Sequence, residues 1–421
     1  MSPHRLCDRY VRFGRYAHMV RIDLRRGGVW LDVCVVAAIV AAGITVAGLT
    51  DSPQPEVAAI PGCDVVVPDL GSVSFAIGSY GGTYDNPAYP WLTAAKASAM
   101  SLALIDSLPG DVELDYAPPS RSLIFQPINV YPGSAQLPEG ITLTDISGDS
   151  TASGVVGRGG VEASLRVSVK TWDRGFPPCT EGQVDQRTTL SDGTVIDSRS
   201  TVAGSGDNPS HRQSVIAYSA DTLITASTSK EGEDSTLPLE VEELRDIVSN
   251  PELRIGAEVP KGTPPPRRDC GGSRENPVSP LTRDEVERIG IALERQWAVT
   301  FPDIDTDWPV GDLVPGSSGG GSACNQMNVT LPSGAAELTV EISTQEIAPR
   351  RDESGSPEVD RRVSPDGTVI TYRSDEYAGS GEATGWLSVF RPSNTLVQFR
   401  FGPGFDVESL VELATGPGLD L

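Results

Sequence analysis

Alternation with a period of two recurs along this chain. DVELDY (111–116), LRVSVK (165–170), DIDTDW (303–308), LTVEIS (338–343) and LVQFRF (396–401) switch at every other position, the pattern of a strand with one face buried. SVIAYS (214–219), LITAST (223–228) and WLSVFR (386–391) read as further short strands. A helical period marks fewer stretches. After Thr282 the positions Val286, Ile289, Leu293 and Trp297 share one face, and Thr282 with Glu285 forms a capping box before them. An Ala/Leu-rich stretch follows Thr93 and ends before Pro109-Gly110, and EVEELRDIV (240–248) and DVESLVELA (406–414) read as short closing helices.

These elements come in the same order twice. DGTVIDSR at 192–199 returns as DGTVITYR at 366–373, and both fit a type I turn closed by a glycine bulge. Gly193 and Gly367 take the left-handed conformation there at little cost. Glycine corners follow, at 203–206 and 378–381. A duplicated domain accounts for the correspondence, with loops that gained and lost residues between copies. Antiparallel hairpins flanked by helices predict an α+β fold in each copy, a sheet packed against helices. On the last strand, Val397, Phe399 and Phe401 stand where the first copy has Ile224, Ala226 and Thr228. The first copy therefore gives up volume, which other side chains must fill because interiors rarely leave voids.

Residues 33–49 carry no charge, and with 29–32 they make about 20 residues, enough for a membrane-crossing helix. Seven Arg precede them and acidic residues follow, which orients the N-terminus inward. The predicted organisation is a basic cytoplasmic segment (1–28), a transmembrane signal-anchor (29–50), a tether (51–62), copy one (63–256), a Pro-rich linker (257–269) and copy two (270–421). The alternative is secretion after cleavage near residue 48.

Charge and cysteine content follow this division. Residues 51–421 hold 26 basic and 54 acidic side chains, a net of −28. Such a surface repels nucleic-acid phosphates and anionic headgroups, so no nucleic-acid partner is expected. Cys63, Cys179, Cys270 and Cys324 all fall in the outer part, and pairing within each copy gives Cys63–Cys179 and Cys270–Cys324. No CxxC spacing occurs, which speaks against a thiolate zinc site. Arg in preference to Lys, with abundant Ala, Gly and Val, fits a GC-rich bacterial source.

Candidate chemistry is sparse. His211, in GDNPSHRQ, reads as a solvated loop residue without a counterpart in copy two. Lys96, near Ser98 and Ser101, is the nearest approach to a Ser–Lys arrangement. Asp111, Glu113 and Asp115, and again Asp303, Asp305 and Asp307, have the spacing that opens a calcium loop. Trp308 stands in place of its glycine and Val314 in place of its bidentate Glu, so a solvated strand face is the expectation. GSSGGGS (316–322) lacks the Lys of a phosphate loop, and Asn328 heads a glycosylation triplet. No cofactor, metal or catalytic set is implied. The expected role is non-catalytic binding of a protein partner, cell-wall component or small ligand at the cell membrane. The alternatives are a sensor or accessory subunit of a membrane complex and a carboxylate- or cation-dependent hydrolase.

Overall fold

The structure is a computed structural model that describes residues 17–23, 59–69, 72–78, 81–131, 137, 148–204, 208–270, 280–316, 321–344, 360–376 and 383–421. In chain order its strands are β1 (Ala17–Asp23), β2 (Val66–Val67), β3 (Ser72–Gly78), β4 (Glu113–Leu114), β5 (Asp149–Arg158), β6 (Val161–Thr171), β7 (Cys179–Thr180), β8 (Gln186–Thr189), β9 (Val195–Ala203), β10 (Ser210–Tyr218) and β11 (Thr222–Glu231). After them come β12 (Asp305–Thr306), β13 (Val314–Pro315), β14 (Ser322–Leu331), β15 (Gly334–Thr344), β16 (Asp360–Val363), β17 (Val369–Glu376), β18 (Ala383–Phe390) and β19 (Thr395–Phe401). The helices are α1 (Ala94–Asp106), α2 (Val241–Ser249), α3 (Arg283–Thr300) and α4 (Val407–Thr415).

This corrects the expected fold class. Among the described residues the chain is mostly antiparallel β-sheet with few helices, rather than the α+β arrangement expected. Among the described residues the α-helices are segments of 13, 9, 18 and 9 residues, whereas β6 and β15 each run 11 residues. Among the described residues no helix is long and apolar enough to cross a membrane. The expected span at 29–50 lies outside the described residues, as do 51–58 of the tether, most of the loop at 316–322, and 205–207 and 378–381 of the glycine corners. β1 pairs antiparallel with β3, so residues on either side of the apolar run share one ladder.

By contacts the chain forms two compact units. One comprises residues 1–110, 125–151 and 161–264, and the other 111–124, 152–160 and 265–421. Two stretches of the expected first copy, 111–124 and 152–160, thus group with the second. In the first unit the ladder runs β6-β11-β10-β9-β8. In the second it runs β15-β19-β18-β17-β16, extended by β14 and, on its far edge, β12. The two ladders have one connectivity. The repeated hairpin is also built alike. Gly193 N donates to Leu190 O at 3.0 Å and Thr194 N to Asp192 Oδ1 at 2.9 Å. Gly367 N donates to Ser364 O at 3.0 Å and Thr368 N to Asp366 Oδ1 at 3.0 Å. Both glycines have positive φ, 83° and 92°.

Each sheet buries one face under helices. In the first unit α2 lies on β10 and β11, and Leu239, Leu244, Ile247 and Val248 are buried, as are Val167, Val215 and Ala226 on the sheet. In the second, α4 lies on β18 and β19 and α3 packs on α4, enclosing Ile289, Leu293, Val340, Leu387, Phe399 and Leu410 in one core. The opposite faces carry a smaller apolar cluster beside each hairpin, Val195/Tyr218/Leu223 and Val369/Phe390/Leu396. Disulfides Cys63–Cys179 and Cys270–Cys324 each close within one unit, across 116 and 54 residues.

Candidate functional site

The acidic triplets are strand-edge residues. Asp111, Glu113 and Asp115 are exposed, and the intervening Val112, Leu114 and Tyr116 are half-buried; Asp303, Asp305 and Asp307 alternate in the same way. Their carboxylates are used locally. Asp111 pairs with Arg158 at 3.0 Å. Asp307 accepts from Asn328 N at 2.8 Å and from its Nδ2 at 2.7 Å, which also occupies the amide of the glycosylation triplet. Among the described residues no three His, Cys, Asp or Glu side chains converge as metal ligands would.

Lys96 is buried, which its sequence context does not indicate. It is 3% exposed and donates from Nζ to Arg254 O at 2.8 Å and Ala257 O at 2.7 Å. Desolvation lowers its pKa. The ammonium ties α1 to the start of the Pro-rich segment, a structural task, because an unpaired buried carbonyl is costly. The far end of that segment is fastened as well. Arg267 donates to Asp312 O at 2.6 Å and lies 4.9 Å from the Trp308 ring centre.

The first unit holds a polar site where the second holds aromatic packing. In the second unit Phe401 on β19 faces Gly385 on β18. A Cβ at Gly385 would collide with the Phe401 ring. That ring packs with Tyr372 at 6.4 Å and Phe405 at 5.8 Å between centroids, and Phe405 continues to Phe301 and Trp297. In the first unit the same cross-strand position pairs Gln213 on β10 with Thr228 on β11. Large and small have changed places across the ladder. The exchange substitutes polar for apolar atoms. Thr228 is fully buried. Its Oγ1, Gln213 Oε1 and His211 Nε2 are buried atoms that find no hydrogen-bond partner in the protein.

His211 is therefore not a loop residue. It is the second residue of β10 and shares the helix-facing side of the sheet with Gln213, opposite Lys230. Arg245 on α2 reaches the neighbouring part of that face, donating to Gln186 Oε1 at 2.8 Å and Ser198 Oγ at 3.2 Å, while its Nε is also buried without a partner. Orphaned buried polar atoms cost about 1–3 kcal/mol each, and these, on adjacent strands, call for polar groups from water or a ligand. Thr228 was visible in the sequence as missing volume. Gln213 was not, because its role appears only once β10 is registered against β11. Comparison with protein families, characterised proteins and solved structures yields no match.

Proposed function

We propose that this chain is an exported, non-catalytic binding protein of the bacterial cell envelope, and that its first sheet carries the binding site. The observation that carries this reading is the Gln213/Thr228 pair standing where Gly385/Phe401 close the second core. One copy keeps an apolar end and the other keeps buried hydrogen-bonding atoms with nothing to bond. Two disulfides in a chain whose remaining thiols all lie before residue 35 fit an oxidising compartment. The experiment compares immobilised wild type with Gln213→Gly/Thr228→Phe, which transplants the second unit's packing into the first. Envelope extract is passed over both and retained material is identified by mass spectrometry. Material held by wild type and lost from the double variant supports the reading. Equal retention on both overturns the site, and conversion of the retained material into product overturns the non-catalytic role.

A further inference from the structure

The face of α3 turned away from its own core has charges arranged symmetrically, with opposite sign, about one apolar residue. Ile291 is 54% exposed although it sits in the middle of the helix. Glu287 and Arg295 stand four positions before and after it, and Arg288 and Glu294 three positions before and after. All of these are exposed. With Asp284 and Ala298, seven positions either way, they form one stripe at heptad spacing. Arg288 and Glu294 are tied to their own fold. Arg288 donates to Gly418 O at 3.4 Å and Asp420 O at 2.9 Å, and Glu294 accepts from Gly311 N at 2.7 Å. Glu287 and Arg295 make no hydrogen bond or ion pair among the described residues. Arg283, one turn before Glu287, lies over the Tyr116 ring at 4.6 Å instead, and the residues one turn either side of Arg295 are all apolar. Two shallow hollows of about 510 and 420 Å³ share Ile291 and Arg295 as walls, one toward Gly418 and the other toward Pro309 and Gly311.

We infer that α3 pairs with α3 of a second molecule of this chain, antiparallel about a two-fold axis at Ile291. At a rise of 1.5 Å per residue Glu287 lies about 6 Å from that axis, and the partner's Arg295 lies at the same height. Antiparallel pairing therefore answers both unpaired charges, and symmetry makes the contact twice. Parallel pairing would set Glu287 against the partner's Glu287 and Arg295 against the partner's Arg295. A two-fold contact also needs a projection and a recess within one patch. Ile291 is the projection, and the hollows beside it are the recess. The matching helix of the first unit shows what selects this partner. Leu102 follows the N-cap Thr93 by nine positions, as Ile291 follows Thr282, and it is 57% exposed. The only charges of α1 are Lys96, which is buried, and Asp106, so that helix has the apolar residue without the charge pattern. One helix face buries less than the standard interface of about 1,600 Å², so the dimer is weak, with a Kd of about 1–100 µM. The net charge of −24 on each molecule opposes association at long range, but charges farther apart than about 10 Å are screened at 0.1 M salt.

The test is sedimentation velocity of the full, oxidised chain at about 0.1 M salt, over about 1–200 µM protein. Wild type should show a monomer–dimer equilibrium with no larger species, since a two-fold contact closes on itself. Glu287→Arg alone brings like charges together twice and should weaken dimerisation at least about tenfold, and Arg295→Glu alone should do the same. Glu287→Arg/Arg295→Glu reverses every pair and should restore the dimer to within about threefold of wild type. Ile291→Asp should abolish it, and Leu102→Asp should leave it unchanged. All these positions are exposed, and unchanged thermal melts establish that each variant folds. Wild type that stays monomeric over the whole range overturns the inference. Failure of the double reversal to recover the dimer overturns the antiparallel register, and growth beyond a dimer overturns the two-fold closure. Association that survives Ile291→Asp, or that is lost in Leu102→Asp, puts the contact elsewhere and overturns the assignment to α3. None of the substituted residues lies on the first sheet, so this outcome is independent of the polar site there.

Discussion

Filling the polar site should stabilise the first unit, and only when both partners change. In Gln213→Gly/Thr228→Phe the new ring enters the space that Gln213 vacates, as Phe401 does beside Gly385. Burying the phenyl contributes about 1.5–3 kcal/mol. Removing two buried acceptors without partners recovers about 1–3 kcal/mol each. Glycine within a strand costs about 0.5–1 kcal/mol. The lower end of the resulting range applies, about 2.5 kcal/mol, because Leu239 and Ser198 occupy the positions of Phe405 and Tyr372 and enclose the ring less fully. For a unit of this size that raises the melting temperature by about 5–10 °C. Thr228→Phe alone meets Gln213 and should cost about 1–3 kcal/mol by overpacking. Calorimetry of the full oxidised chain, completed as a double-mutant cycle, reads the coupling. Additive effects of the two substitutions, or a double variant less stable than wild type, would refute the exchange of volume across the ladder.

Other consequences follow from charged groups. Asp197→Ala should destabilise by about 3 kcal/mol, because it strands the Arg187 guanidinium, whose partner carboxylate is only 5% exposed; urea unfolding with and without Arg187→Met reads it, and a loss below about 1 kcal/mol would show the pair to be incidental. The Asp192 carboxyl is held down to about 2, chiefly by Arg254 and then by Thr194, and Asp366 is lowered by Thr368. Both folded values lie below the unfolded one, so their stabilisation is present above about pH 4 and fades as pH falls toward 2; Asp192→Asn should flatten that acid limb, and an unchanged profile would count against it. Reducing the protein should lower the first unit's stability more than the second's, since its disulfide closes 116 residues against 54, by about 0.6 kcal/mol for the doubled loop on the chain-entropy estimate; calorimetry with and without reductant checks the order.

What the sequence reveals depends on how local the cause is. The capping box at Thr282 and Glu285 and the turns at Gly193 and Gly367 are set by residues a few positions apart, and they form as the pattern predicts. The disulfide pairs are those obtained by keeping both partners within one stretch of similar element order. The fold class was misjudged because helical periodicity is conspicuous even where it is brief, while long strands interrupted by hydroxyl residues, such as Thr222–Glu231, dilute their own alternation. The burial of Lys96 was not legible because the carbonyls it serves lie 158 and 161 residues away. His211 looked like loop because Pro209 and the polar residues around it are turn-formers; the ladder with Val202 and Lys230 makes it a strand residue instead. The polar site itself needed cross-strand register, which period and composition do not encode.

The most direct test is a high-resolution crystal structure of the protein purified from its native host without extensive washing. The account predicts density larger than one water molecule within hydrogen-bonding distance of Thr228 Oγ1, Gln213 Oε1 and His211 Nε2, beside an aromatic cluster at the matching place in the second unit. Those three atoms bonded to one another, or joined by a single water alone, would contradict a binding site there.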